Sequence, residues 1–344
     1  MTRHISLLLP DLLRPGSLPP AAAGQPEPEA LEWLLTLAER RPRPQVGMET
    51  LLWQEAGMTG PVPVATLSYL YDCGEMPPGP VLRADPVCLA ADRDCVRLVS
   101  GGAADSGADI GPDLEMDEAR QLIAEINAQF SDEPWTLVAG TARRWYLLLD
   151  EAAGINCQPP PLVLGHNILD FMPAGPRQGY WRNIFNEIQM LMFASPVNEQ
   201  RQMAGRSAAN SLWLWGAGDA SLAVSPPWAA VYGSDPVAAA LGLLAGVPVA
   251  PAPESAGQLL DMAPPAGRIL CQPGITGGRE GLITFNHDWA LPLYKALQRG
   301  FSRPRTRHEL SSIELLTTNG FSYVLSAGKR RWWRRRRRID SFLE

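Results

Sequence analysis

Hydrophobic and polar positions repeat at helical spacing in three stretches of the chain. From Glu29 to Arg41, the positions Leu31, Leu34, Leu35 and Ala38 share one face, and Arg40 and Arg41 sit before Pro42. That pattern predicts a helix whose cations meet its negative C-terminal end. Asp117 to Phe130 repeats the spacing through Leu122, Ile123, Ile126 and Phe130, and Tyr180 to Phe193 through Ile184, Ile188, Leu191 and Met192. Val62 to Tyr71 is apolar without a clear period, so helix and strand both fit it. The run Ile5 to Leu9 is too short for a membrane span or a signal-peptide core and reads as a first strand closed by Pro10.

Strand signals dominate from Arg83. Pro86 to Ala91 and Cys95 to Ser100 form a hairpin by spacing across Asp92-Arg93-Asp94. Thr136 to Ala139 and Trp145 to Leu149 form a second one across Gly140 to Arg143. With the helix between them, this β-β-α-β-β order reads as a compact inserted α+β subdomain. Beyond Pro159 to Pro161, strand-like and helix-like runs alternate: Ser211 to Trp215, Val237 to Ala245, Ile269 to Gln272, Leu282 to Phe285 and Trp289 to Gln298. A last strand pair, Ile313 to Thr317 and Phe321 to Ser326, turns at Asn319-Gly320. The expected fold is therefore α/β, a central sheet flanked by helices. Residues 1–82 and 161–328 would form its core, 83–160 the insertion and 329–344 a tail.

Composition changes this picture little. A hydrophobic share of 46% and a charged share of 19% are ordinary for a globular protein. The five cysteines are scattered, and none forms a C-x-x-C pair. Neither a disulfide framework nor a zinc site is implied, and a reducing, cytoplasmic setting is expected. Charge matters more. The net charge of −6 is unevenly spread, with a strongly basic segment after Arg299 and an acidic body before it. Within that segment, Lys329, Arg330, Arg331, Arg334, Arg335 and the arginines to Arg338 surround Trp332 and Trp333. Cations interleaved with indoles suit nucleic-acid phosphate and bases, or an acidic partner. The plainer reading anchors the chain end through the indoles and pairs the arginines with the acidic body.

The most specific stretch is Ser195-Pro196-Val197-Asn198-Glu199-Gln200-Arg201, followed by Gly205, Ala209-Asn210 and Trp213-Leu214-Trp215-Gly216-Ala217-Gly218. It resembles a segment of the archaeal-type cofactor-independent phosphoglycerate mutases, as do Pro227 to Gly233 and Leu241 to Gly246. Arg83-Ala84-Asp85-Pro86 stands where that family opens its inserted domain. Together with Asn186 to Leu191 and Asn210 to Gly216, these segments are closer still to a bacterial group known as RpfE-type regulatory proteins. The resemblance implies an alkaline-phosphatase-like fold. It also makes Arg83, Asp85, Asn198, Arg201, Asn210, Gly216 and Gly218 candidates for binding a phosphorylated or acidic small molecule. Read from the residues alone, Gly216 to Asp219 is either an approach for an anion to backbone N–H groups or a turn needing positive φ. Trp213 and Trp215 share one strand face and read as core.

The family's chemistry is a phosphoserine mechanism with two divalent metals, which needs roughly six or seven Asp, Glu and His ligands. This sequence departs from it at each element. Where the family has Asp-Gly after the first strand, the chain has Asp11-Leu12, a vestige at most. In place of the nucleophilic serine stands Val62, and the nearby Ser68 has no evident base. The acidic, histidine-rich metal block is missing, and the four histidines are His4, His166, His287 and His308. The sequence therefore points to a non-catalytic, regulatory or ligand-sensing protein with no metal and no cofactor. One alternative is a metal-dependent phosphoryl-transfer enzyme with a relocated site using Asp11 and His287. Another is a nucleic-acid-associated protein acting through the Arg/Trp tail.

Overall fold

The computed structural model describes residues 2–10, 12–13, 26–101, 110–219, 222–275, 278–302 (backbone alone for 299–302), 310–327 and 334–343. In chain order the elements begin with β1 (Arg3–Leu8), α1 (Glu29–Leu37), β2 (Glu39–Pro42), α2 (Met48–Glu55) and α3 (Val64–Cys73). Then come β3 (Val81–Asp92), β4 (Cys95–Val99), α4 (Met116–Gln129), β5 (Trp135–Ala139), β6 (Trp145–Leu149) and α5 (Pro160–Val163). The next are α6 (Gln178–Phe193), α7 (Pro196–Met203), β7 (Ser211–Gly218), β8 (Trp228–Tyr232), α8 (Pro236–Leu244), β9 (Val249–Ala250) and α9 (Ala256–Met262). The chain closes with β10 (Gly267–Cys271), α10 (Gly278–Phe285), α11 (Leu291–Ser302), β11 (Leu310–Leu316) and β12 (Phe321–Ser326). It divides into two compact units, one formed by 1–60 with 224–344 and the other by 61–223.

The first unit is a seven-stranded sheet in the order β2-β12-β11-β1-β10-β8-β9. β1 lies near its centre, parallel to both β10 and β11. Strands buried on both faces read as continuous apolar runs, which is why Ile5 to Leu9 was legible as a strand. On one face Ile5, Leu7, Ile269, Cys271, Ile313 and Leu315 pack with Leu31, Leu34 and Leu35 of α1 and with Phe285, Trp289 and Leu293. The alternate positions Ser6, Arg268 and Glu314 face the other way. There Glu55 of α2 pairs with Arg43 and Arg268, and Glu314 accepts from the same two arginines at 3.0 and 3.2 Å. This closed ring of two cations and two carboxylates satisfies charges set into a sheet face.

The helix expected over Glu29 to Arg41 is shorter than its periodicity suggests. Its last helical residue is Leu37, and Ala38 is already extended at φ −64°, ψ 155°. Residues 39–42 pair antiparallel with β12, placing Arg40 opposite Tyr323. Arg40 and Arg41 thus lie on an edge strand, where charge discourages further pairing, and Arg40 stacks over Phe321 at 3.5 Å. Leu282 to Phe285 belongs to α10, which runs into α11 through a π turn at Asn286–Ala290. The turn brings Asn286 inward, where its Oδ1 accepts from the Leu31 N–H at 3.0 Å. That N–H would otherwise be an orphan, because Pro28 gives α1 no side-chain cap.

The second unit is built on the sheet β4-β3-β6-β5, with β7 also paired to β3. β3 is 12 residues long and antiparallel to β4, β6 and β7. Both hairpins lie where the sequence places them. The ambiguous Val62 to Tyr71 stretch is the helix α3, ended by Gly74 at φ 78°. α4 and α6 cover one side through Leu122, Ile126, Trp181, Ile184 and Ile188. The sequence-based boundaries at 83 and 160 both fall inside this unit. Arg83 sits in mid-strand, opposite Trp215 of β7, a pairing that leaves no local signal. No helix among the described residues is long and apolar enough to cross a membrane.

Candidate functional site

Arg83 and Asp85 are two apart on β3, so the pleat turns both side chains to the same face. The Arg83 guanidinium donates from Nε to Asp85 Oδ1 at 2.9 Å, and from Nη2 to Oδ1 and Oδ2 at 2.7 and 2.8 Å. The Trp215 indole adds a donation to Oδ2 at 2.6 Å. The cation lies 5.1 Å from the Trp215 ring and 5.7 Å from the Tyr146 ring, a cation–π setting. Its Nη1 reaches the Ser68 hydroxyl at 3.5 Å. Burial pushes the Asp85 carboxyl upward, and Arg83 and Trp215 pull the other way. Beside this pair, Asp72 accepts from Arg144 at 2.6 and 2.8 Å and from the Tyr146 hydroxyl at 2.6 Å. Nothing in the sequence marks Trp215, Tyr146 and Asp72 as neighbours of Arg83 and Asp85. A Trp-Leu-Trp strand shows its face in sequence but not its partner 130 positions away.

The other candidates form a second group on α7 and β7. Asn198 donates to the carbonyls of Met192 and Ala209 and accepts from the Ala209 N–H, all at 2.7 to 2.9 Å. Asn210 acts like one more strand residue, accepting from Leu89 N at 2.7 Å and donating to Leu89 O at 2.8 Å. Arg201, 1% exposed, donates to Ser207 O, Asp113 Oδ1 and Glu118 Oε2 at 2.8, 2.6 and 2.7 Å. Arg206 pairs with the same two carboxylates. These bonds hold the Asp113 carboxyl below the usual range, the Arg201 hydrogen bond first among causes.

Gly216 takes φ 66°, inside β7 at the point where its pairing to β3 shifts register rather than in a turn after the strand. Both glycines also let β7 run close under the start of α3. A Cβ on Gly216 would lie 3.1 Å from Val64 Cβ, and one on Gly218 only 2.2 Å from Thr66 Oγ1. Thr66 Oγ1 is itself fixed to Asp219 O at 2.8 Å. Val62 is half-buried just before α3, and its carbonyl accepts from Val64 N at 2.9 Å. Ser68 is fully buried and donates back to Val64 O at 2.7 Å. Its partners among the described residues include the Val64 and Ala65 carbonyls and the Arg83 guanidinium.

In the first unit, parallel strands make the carboxyl edge of the sheet the place where such folds bind ligands. Among the described residues in the three positions that follow β1, β8, β10 and β11 there is one carboxylate, Asp235, and no histidine. Asp235 caps α8 by accepting from Ala238 N at 2.9 Å, and its own N–H donates to Gln272 Oε1 at 3.0 Å. Thr317 and Thr318 donate to Phe321 O and Pro10 O. Asp11 lies outside the described residues, as does His308. His4 contacts Ser312 at 2.8 Å, His166 lies tilted to the Phe171 ring with centroids 5.9 Å apart, and His287 is exposed on the π turn. Among the described residues no three His, Cys, Asp or Glu side chains are grouped to hold a metal. Among the described residues the donor set does not make up a two-metal phosphoryl-transfer centre.

Of the tail candidates, Arg330, Arg331, Trp332 and Trp333 lie outside the described residues. Arg334 donates to Thr36 O at 2.8 Å, and Arg335 is exposed.

The fold and these side chains define a mixed α/β protein with a helix-flanked central sheet and a second, antiparallel unit. Its relatives are cofactor-independent phosphoglycerate mutases. Over 109 residues the chain is 28% identical to the 2,3-bisphosphoglycerate-independent phosphoglycerate mutase of Methanosarcina barkeri, covering 31% of this chain and 27% of that protein. With the corresponding enzyme of Methanothrix thermoacetophila it shares 32% over 140 residues, 40% of this chain and 31% of the other. The matches thus span less than a third of the length of these relatives. No family model matches the chain. Among solved structures, the PH0037 protein from Pyrococcus horikoshii shares the fold, with a TM-score of 0.51 at 13% identity over 96% of this chain and 88% of that one. The cofactor-independent phosphoglycerate mutase from Thermoplasma acidophilum superposes at a TM-score of 0.45 with 17% identity, over 94% of this chain and 90% of that one.

Proposed function

We propose that this chain is a non-catalytic, regulatory or ligand-sensing relative of the phosphoglycerate mutases, of the RpfE type, acting in the cytoplasm. The observation that carries the reading is how the resembling residues are used. Asn198, Asn210 and Arg201 hold backbone carbonyls, backbone amides and neighbouring carboxylates, and Gly218 admits α3. They support a shape. Val62, at the position resembling the family's nucleophile, carries no group that accepts phosphate. A phosphorylated or acidic small molecule is the expected ligand class.

The test is a mutase assay in manganese-containing buffer, with elemental analysis of the same untagged sample. Baseline turnover and well under one equivalent of metal are expected. About two equivalents with turnover abolished by a chelator would overturn the reading and restore the metal-dependent enzyme.

A further inference from the structure

Residues 334–343 lie along α1 and bring a basic run against the acidic start of that helix. Arg336 reaches Glu27, Glu29 and Glu32 at 3.2, 3.0 and 3.4 Å, and Arg338 pairs with Glu27. Two main-chain bonds fix the segment, Arg337 N to Thr36 Oγ1 at 3.0 Å and Ile339 N to Glu32 Oε1 at 2.9 Å. Arg334 meets the carbonyls of Thr36 and Ala38 at the other end of α1, where a cation also suits the helix dipole. Beyond them, Ile339 and Phe342 enter the core, Phe342 at 6.1 Å from the Tyr323 ring.

Glu32 stands out in this seat. It is 1% exposed, and among the described residues its Oε2 has no hydrogen bond and faces the Arg336 cation at 3.4 Å. A carboxylate so deeply covered needs its counter-charge in place. The segment therefore has two parts that respond differently to solvent. Glu29 and Arg338 are 66% and 62% exposed, so their ion pairs are open to screening. Burial of Ile339 and Phe342 is not weakened by screening.

We propose that residues 334–343 form an ionic strap whose arginine half lifts from α1 as salt rises, while its apolar half stays seated. Lifting uncovers Glu32 and gives the arginine run to external anions, so the strap switches this face between self-neutralised and charged.

Amide hydrogen exchange on the full chain tests this, at about 0.05 M and 0.5 M sodium chloride, with sucrose as an osmotic control. Exchange at Arg337, in the arginine half, is expected to rise about tenfold with salt, the order set by losing several partly exposed ion pairs. Ile339, in the seated half, keeps its protection. Ile5 and Ile269 in the central strands should hold their protection, and sucrose should have no effect. The variant Glu27→Gln/Glu29→Gln, which alters surface positions only, should show the faster rate already at low salt. An Arg337 rate indifferent to both salt and the variant would overturn the strap. So would acceleration shared equally by Ile5 and Ile269, which would report global opening.

Discussion

Whether Arg83 and Asp85 serve the fold or await a ligand can be read from stability. Asp85 takes three contacts from Arg83 and one from Trp215. Arg83 is 6% exposed, so a guanidinium that loses Asp85 keeps only the weak Ser68 contact and two ring faces. Removing one member of a buried ion pair costs about 3–5 kcal/mol, because the other charge is left uncompensated. Asp85→Ala should therefore fall in that range. Arg83→Met should cost somewhat less, since the orphaned carboxyl can take a proton in a site that already pushes it upward. The double variant Arg83→Met/Asp85→Ala leaves no unpaired charge and should cost less than the sum, with coupling of about 2 kcal/mol or more. Guanidinium unfolding followed by tryptophan emission measures all three against wild type. A residue held in readiness for a ligand is commonly strained, and its removal leaves stability unchanged or raised. Single variants costing under about 1 kcal/mol, or strictly additive costs, would refute the structural assignment.

Gly218→Ala should lower stability by about 1–3 kcal/mol, because the new Cβ meets Thr66 Oγ1 at 2.2 Å and that hydroxyl is tied to Asp219 O; an unchanged melting temperature would deny the close approach of β7 to α3. The Asp113 carboxyl is depressed in the folded state by Arg201, so its contribution is present above the unfolded value near ~3.9 and lost as pH falls through the folded one. Wild type should therefore lose more stability than Asp113→Asn between about pH 5 and pH 3; the effect is small for a side chain 48% exposed, and parallel acid profiles would count against it. Val62→Ser should give no mutase turnover in manganese buffer, since a hydroxyl alone supplies neither base nor metal; chelator-sensitive activity in that variant would reveal a metal site the described residues do not contain.

The parts of the fold legible in the sequence are those with local causes. Apolar spacing located α4 and α6, and the two hairpins followed from turn spacing. Where tertiary pairing decided, the pattern misled. Arg40 and Arg41 continue a helical period, yet β12 draws them into an edge strand. The boundary read at 83 falls inside β3, whose partner β7 lies far along the chain and leaves no local signal. In the candidate site, Arg83 and Asp85 were visible as chemistry-bearing neighbours on one face. Their partners Trp215, Tyr146 and Ser68 were not, because each arrives from a different element.

The residues that carry the likeness to the mutases differ in kind from those that would carry the reaction. Asn198, Asn210 and Arg201 hold backbone groups at 2.7 to 2.9 Å, and replacing any of them leaves buried polar atoms unpaired. A chain that needs only its shape must still keep them. Val62 has no such duty. Its carbonyl accepts the Val64 N–H, a bond any residue makes, so the fold places no demand on the side chain there. The same holds at the carboxyl ends of the parallel strands, where Gln272, Thr317 and Thr318 tie loop to loop and Asp235 caps a helix. Side chains that carry the backbone, beside a Val62 side chain that carries none of it, are what the proposed non-catalytic reading expects of this fold. An active enzyme with a relocated centre would instead have to gather new acidic and histidine ligands at one edge, at the cost of desolvating them.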